Sequence, residues 1–249
     1  MINAGVYRIP MNGPGDFSGL AKLVEDGTVD PHSVIAVLAK TEGNGCVNDF
    51  SRGYGTLALK VLLSELRNQT LAEVEEDVVF IMSGGTEGVL SPHATIFTRT
   101  ESDEQASNKQ KSLSVSSGHT RDFKPEEIGT VTMVREVAKT VQRLMKEARI
   151  DDRSDVHFVQ IKCPLLTSEK IRDAQSRGKD VVTENTYKSM GFSRGASALG
   201  VALAIGEVEE SAITQDVIAK DWSLYSAVAS TSAGVELSNC EVMVLVNSA

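Results

Sequence analysis

Phe50-Ser-Arg-Gly53 returns later in the chain as Phe192-Ser-Arg-Gly195, each time leading into a segment rich in Ala, Leu and Val. A tetrapeptide can recur by accident, so the residues around each copy decide. Upstream lie Val34-Ile-Ala-Val-Leu-Ala-Lys40 and Val156-His-Phe-Val-Gln-Ile-Lys162, two short apolar runs of strand type that both end on lysine. Downstream, Ser83-Gly-Gly-Thr-Glu87 is answered by Ser232-Ala-Gly-Val-Glu236. A strand ending in lysine, a Phe-Ser-Arg-Gly opening a helix, and a Ser-small-Gly-x-Glu turn therefore occur twice in the same order, which marks an internal duplication. The stretch from Lys162 to Arg194 is longer than that from Lys40 to Arg52, so the loops have diverged since.

Working outward, Ser18 to Asp26 reads as a short helix closed by Gly27, and residues 53 to 67 as a helix with Leu57, Ala58, Val61 and Leu62 on one stripe. Thr70-Leu-Ala-Glu73 is a capping-box pattern opening an acidic helix, and Val78 to Met82 reads as a strand running into the Ser83 turn. In the second half, Val134, Val137, Val141, Leu144, Met145 and Ala148 recur every three or four residues, which predicts an amphipathic helix over 131–149. A small-residue helix is expected over 195–206 and a last strand over Val242 to Val246. The polar run from Thr100 to Lys111 reads as a linker, which gives two αβ domains, 1–104 and 105–249.

The formal charge of −9 opposes non-specific binding to nucleic acid or to an anionic membrane, both of which call for a basic field. No run approaches the roughly 18 apolar residues of a membrane span. Cys46, Cys163 and Cys240 form no C-x-x-C pair and read as reduced thiols in a cytoplasmic protein.

The duplicated Lys, Arg and Ser form a coherent set for acyl chemistry. A serine hydroxyl needs a base to become a nucleophile, and a lysine shifted below its ordinary pKa of about 10.4 by burial or by nearby positive charge can serve. Turn glycines let backbone N–H groups approach an oxyanion, and arginines can hold carbonyl oxygens. Taken singly, Lys40, Lys162, Arg52, Arg194, Ser83 and Ser232 each have an ordinary structural reading as strand-end lysines, surface ion pairs and turn caps. As a duplicated triplet the functional reading prevails. Residue chemistry alone leaves Lys40 with Ser83 and Lys162 with Ser232 equivalent. Gly191-Phe-Ser-Arg-Gly195 also fits the nucleophile elbow of α/β-hydrolases, but His32, His93, His119 and His157 all precede Ser193, so no downstream base exists. Phosphate-loop patterns fail, and the histidines lack metal-ligand spacing.

At Gly43-Asn-Gly-Cys-Val-Asn-Asp-Phe50, Met82-Ser-Gly-Gly-Thr-Glu-Gly-Val89, His157-Phe-Val-Gln-Ile-Lys-Cys-Pro-Leu-Leu166 and Gly191-Phe-Ser-Arg-Gly-Ala-Ser-Ala-Leu-Gly200 the chain resembles the ring-opening amidohydrolases, the family of cyanuric acid hydrolase and barbiturase. The resemblance implies an α/β fold of similar domains about a pseudo-threefold axis, two of the family's three repeats being present. It implies a small cyclic amide as substrate, ring opening of cyanuric acid to carboxybiuret and then biuret, with barbituric acid as the alternative substrate. It implies Ser232 as nucleophile and Lys162 as base, with Lys40 and Ser83 as the related pair. Arg52 and Arg194 would grip substrate oxygens, while Gly84 and Ala233 follow the serines where backbone amides meet the ring. No cofactor is expected in this chain, since the family's structural divalent metal belongs to the third domain. The expected partner is a further copy of the chain, the family being tetrameric, or a chain supplying the third domain. On this reading the isolated chain self-associates or turns over poorly, and a non-catalytic, ring-binding fragment is the rival from another class.

Overall fold

The computed structural model describes residues 2–86, 89–101, 111–150 and 152–248. The duplication read from three short motifs extends to the whole topology. In the first repeat β1 (Ile2–Pro10), β2 (Val34–Lys40), β3 (Val79–Ser83) and β4 (His93–Glu101) form a sheet in the order β1-β4-β2-β3. In the second, β5 (Ser112–His119), β6 (Val156–Pro164), β7 (Ala229–Gly234) and β8 (Glu241–Ser248) form a sheet in the order β5-β8-β6-β7, which is the same order again. In both, the lysine-bearing strand pairs in parallel with the serine-bearing strand and antiparallel with the last strand. Helices α1 (Ser18–Glu25), α2 (Ser51–Arg67) and α3 (Leu71–Asp77) belong to the first repeat, and α4 (Val131–Glu147), α5 (Ser168–Ser176) and α6 (Thr186–Ile205) to the second. The chain divides into two compact units, Met1–Gly118 with Asn247–Ala249, and His119–Val246. The cut between residues 104 and 105 lies outside the described residues, as does most of the 100–111 linker.

Side-chain alternation fixes which face of each sheet is buried. Val37 and Ala39 on β2 join Phe80 and Met82 on β3 in one apolar core with Leu59 and Leu63 of α2, while Val159, Ile161 and Cys163 on β6 join the core formed with α4 and α6. Lys40 and Lys162, one pleat further on, therefore stand on the opposite faces of their sheets. Register does the rest: Lys40 is level with Ser83, and Lys162 with Ser232.

The helices depart from the sequence reading in two places. α2 begins at Ser51, and its buried row is Ser51, Gly55, Leu59 and Leu63; Leu57 and Val61 of the expected stripe are exposed. The reason is the glycine at position 55 and the small Ser51, which let the helix lie close on that side. The helix expected over 195–206 begins at Thr186, because Asn185 caps it by accepting from the Lys188 N–H at 2.9 Å. Phe192-Ser-Arg-Gly195 consequently sits in mid-helix instead of opening it. β1, β4 and β5 have no counterpart in the sequence reading, since their apolar residues alternate weakly with Gly, Thr and Ser, and α5 has none because Ile171 and Ala174 are its only apolar residues. The Thr70–Glu73 capping box is present, with Glu73 N–H donating to Thr70 Oγ1 and Thr70 N–H to Glu73 Oε2.

α6 crosses α4 at Gly200, where an added Cβ would stand 2.7 Å from the Val137 side chain and 2.8 Å from the Val134 carbonyl oxygen. Alanine is the better helix former by about 1 kcal/mol. The clash outweighs that gain, because overpacking a filled contact costs up to about 3 kcal/mol. Gly200→Ala is therefore expected to destabilise by a net of about 2 kcal/mol, read as a lower urea midpoint. A midpoint equal to or above the parent's would show that the two helices can separate freely.

Candidate active site: two lysine and serine pairs

In the first unit, Lys40 Nζ donates to Ser83 Oγ at 3.3 Å and to the Gly84 carbonyl at 2.7 Å. The next residue, Thr41, continues the ladder: its N–H donates to the Ser83 carbonyl at 2.8 Å, and its hydroxyl meets Ser51 Oγ at 2.7 Å. Ser51, the serine of the repeated tetrapeptide, thus ties the start of α2 to the end of β2. Around this pair the segment 43–49 is folded about one carboxylate. Asp49 accepts from the Gly45 N–H at 2.8 Å, the Ser51 N–H at 2.9 Å and the Ser51 hydroxyl at 2.6 Å. An added Cβ at Gly43 or Gly84 would fall 1.9 Å or 2.1 Å from its oxygens, so both glycines exist to admit it. Burial is the largest single influence on Asp49 and pushes its pKa up. The hydrogen bonds from Ser51 and Gly45, with the charge of Arg52, outweigh it and leave the carboxyl below its ordinary value.

Arg52 is 3% exposed and directs Nη1 to the Gly45 carbonyl at 3.3 Å and Nη2 to the Cys46 carbonyl at 3.0 Å. In this chain, then, its guanidinium binds the loop that carries Asp49.

The second unit keeps the pattern with different chemistry. Lys162 is 1% exposed, level with Ser232 on the parallel neighbour β7 and with Glu241 on the antiparallel neighbour β8. Its Nζ forms an ion pair with Glu236 Oε1 at 3.7 Å. Cys163 takes the place of Thr41: its thiol donates to the Ser232 carbonyl at 3.2 Å. Burial pushes the thiols of Cys163 and Cys240 up, so both stay protonated and neither is a nucleophile. Ser193, counterpart of Ser51, is fully buried and donates to the Pro164 carbonyl at 2.5 Å, which disposes of the nucleophile-elbow reading. Ala233, where the first unit has Gly84, is buried, and the chain after Lys162 runs into buried Leu165 and Leu166.

Arg194 is exposed, with Nε donating to the Met190 carbonyl at 3.2 Å. It lines a cavity of about 520 Å³ together with Lys188, Phe192, Ala198, Trp222 and Thr231. Thr231 precedes Ser232 and points to the other face of β7. The structure therefore brings each lysine to its serine strand and keeps the two arginines apart in role, one buried under a loop and one facing a cavity. Two further participants, Glu236 and Asp49, have no part in the sequence reading. Glu236 carries a signal there, since it is the last residue of the Ser-small-Gly-x-Glu motif; its counterpart Glu87 lies outside the described residues.

Among the described residues no three His, Cys, Asp or Glu side chains are grouped to hold a metal ion, and no helix is long and apolar enough to cross a membrane.

Comparison with known proteins adds the family. Residues 5–249 match the family model described as amidohydrolase ring-opening protein. The chain is 56% identical over 249 residues to a cyanuric acid amidohydrolase of Enterobacter cloacae, covering 99% of this chain and 67% of that protein. It is 51% identical over 248 residues to a cyanuric acid amidohydrolase of Bradyrhizobium diazoefficiens, with the same coverage. A solved cyanuric acid hydrolase superposes with a TM-score of 0.96 at 50% identity, covering 100% of this chain and 68% of the other.

Proposed function

The chain belongs to the ring-opening amidohydrolase family, and from that premise we propose that it opens the ring of cyanuric acid by hydrolysis, with Ser232 as nucleophile and Lys162 as its base. The observation that carries this choice is the buried Lys162, level with Ser232 and set against the carboxylate of Glu236. Lys162 in its uncharged form takes the proton of the Ser232 hydroxyl as Oγ bonds to a ring carbonyl carbon. The ammonium so formed is then stabilised by Glu236, the logic by which a carboxylate supports the base of a serine triad. Lys40 Nζ instead donates to the Gly84 carbonyl and to Ser83 Oγ.

Collapse of the tetrahedral adduct breaks the ring C–N bond, and the leaving nitrogen takes the proton from Lys162. Water then attacks the Ser232 ester, releasing carboxybiuret and restoring the hydroxyl; loss of carbon dioxide gives biuret. Arg194 lines a cavity shared with Thr231, on the other face of β7 from Ser232, and is given no part in the step at Ser232.

The test is substrate consumption with product identification. Purified protein incubated with cyanuric acid is expected to yield biuret and carbon dioxide in equal amounts, with barbituric acid turned over far more slowly. Preference for barbituric acid would assign the chain to the other named activity of the family, and binding of either ring without turnover would support a ring-binding role.

A further inference from the structure

We propose that Glu236 is the positioning residue of the second pair, holding Lys162 Nζ in place, and that Gly234 is glycine in order to let it do so. The inference rests on the Lys162 and Ser232 reading above and assigns the partner that this reading requires.

Three observations converge. The first is the ion pair itself, 3.7 Å long, between a lysine side chain 2% exposed and a glutamate side chain 15% exposed. A pair so far from water interacts much more strongly than one at a surface. The second is steric. The Glu236 carboxylate folds back over Gly234, where an added Cβ would stand 2.4 Å from both Oε1 and Oε2. Any other residue at position 234 would push the carboxylate off this site. The third is the duplication: Ser83-Gly-Gly-Thr-Glu87 and Ser232-Ala-Gly-Val-Glu236 differ at the second and fourth positions and agree at serine, glycine and glutamate. The positions retained in both copies are the ones that the geometry of the second unit joins to the lysine.

Other charged and titratable groups bear on Lys162. Glu241 is level with it on β8, Cys163 follows it on β6, Lys170 on α5 acts on Glu236, and Arg194 on α6 acts on Cys163. Glu236 is distinguished from these by its fold-back over Gly234 and its place in the repeat.

The experiment follows the side chain and needs no turnover. In the full chain labelled with 13C at lysine Cε, the Lys162 resonance is identified as the one lost in Lys162→Arg and is then titrated with alkali. An opposite charge within a few ångströms favours the ammonium form, so Glu236→Gln is expected to move the midpoint to lower pH by on the order of one unit. Glu236→Asp, which keeps the charge on a shorter arm, moves it less. Gly234→Ala moves it in the same direction as Glu236→Gln and serves as the second variant should Glu236→Gln fail to fold. A Lys162 resonance that titrates at the parent's pH in the folded variant, or in neither protein, overturns the proposal. The two readings fail separately: normal ring opening by Lys162→Ala would defeat the base assignment and leave the titration shift standing, whereas an unmoved midpoint would defeat the role of Glu236 alone.

Discussion

Ser232→Ala is expected to lower kcat for ring opening of cyanuric acid by roughly a thousand-fold or more, since removal of a nucleophile leaves only the rate support that comes from binding and oxyanion contacts. The small side chain that replaces it fits where serine fits, so the variant folds, and KM changes little. Ser83→Ala separates the two pairs. It removes the Lys40 Nζ contact at 3.3 Å but leaves the shorter one to the Gly84 carbonyl, so Lys40 stays where it is and turnover persists at a reduced rate. Steady-state kinetics on the two variants in parallel decides the assignment. Near-normal kcat in Ser232→Ala together with loss in Ser83→Ala would transfer the chemistry to the first unit; near-normal kcat in both would remove serine catalysis from the reading altogether.

How much of this is legible in the sequence depends on the range of the interaction concerned. The lysine strands are, because Val34–Lys40 and Val156–Ile161 are apolar runs with a charged end, and period and termination are local properties. So is the Thr70 cap, whose two hydrogen bonds link residues three apart. The pairing of each lysine with its serine is legible only as an order of motifs; the register that sets Lys40 beside Ser83 and Lys162 beside Ser232 is a property of strands far apart in the chain. The repeated tetrapeptide is conspicuous in the sequence, but its use is not. Its serine ties a helix to the strand end in both copies, by way of Thr41 in one and Pro164 in the other, and that shared mechanical task explains why it recurs even though the arginine beside it has two fates. The start of α6 is hidden because Gly191 and Gly195 argue against a helix locally, while packing against α4 through Gly200 overrides them. The role of Glu236 is hidden because its partner is a lysine on another strand, and no spacing rule along the chain connects the two.

Asp49→Ala is the substitution expected to cost the fold most. The carboxylate receives three hydrogen bonds, from the Gly45 N–H, the Ser51 N–H and the Ser51 hydroxyl, and it sits in the space left open by Gly43 and Gly84. Alanine removes all three acceptors, leaves a cavity between two glycines and withdraws the negative charge next to Arg52. Each charge-assisted bond contributes about 1.5 kcal/mol or more, so a loss of about 4 kcal/mol is expected in urea unfolding. Hydrogen exchange at the Gly45 and Ser51 amides should quicken beyond what the lower global stability explains, since the 43–49 segment loses its local anchor. The pH dependence has a definite sign. The folded-state pKa of Asp49 lies below its unfolded value, so the stabilisation is complete above the ordinary carboxylate range near pH 4 and disappears as the pH falls through the depressed folded value. Asp49→Asn, which keeps the shape and loses the charge, should therefore show a weaker acid dependence of stability than the parent, and the two curves should approach each other at low pH. Parallel curves across the acid range would mean that the carboxylate contributes by shape alone, and that Arg52 is held by the Gly45 and Cys46 carbonyls without help from its neighbour's charge.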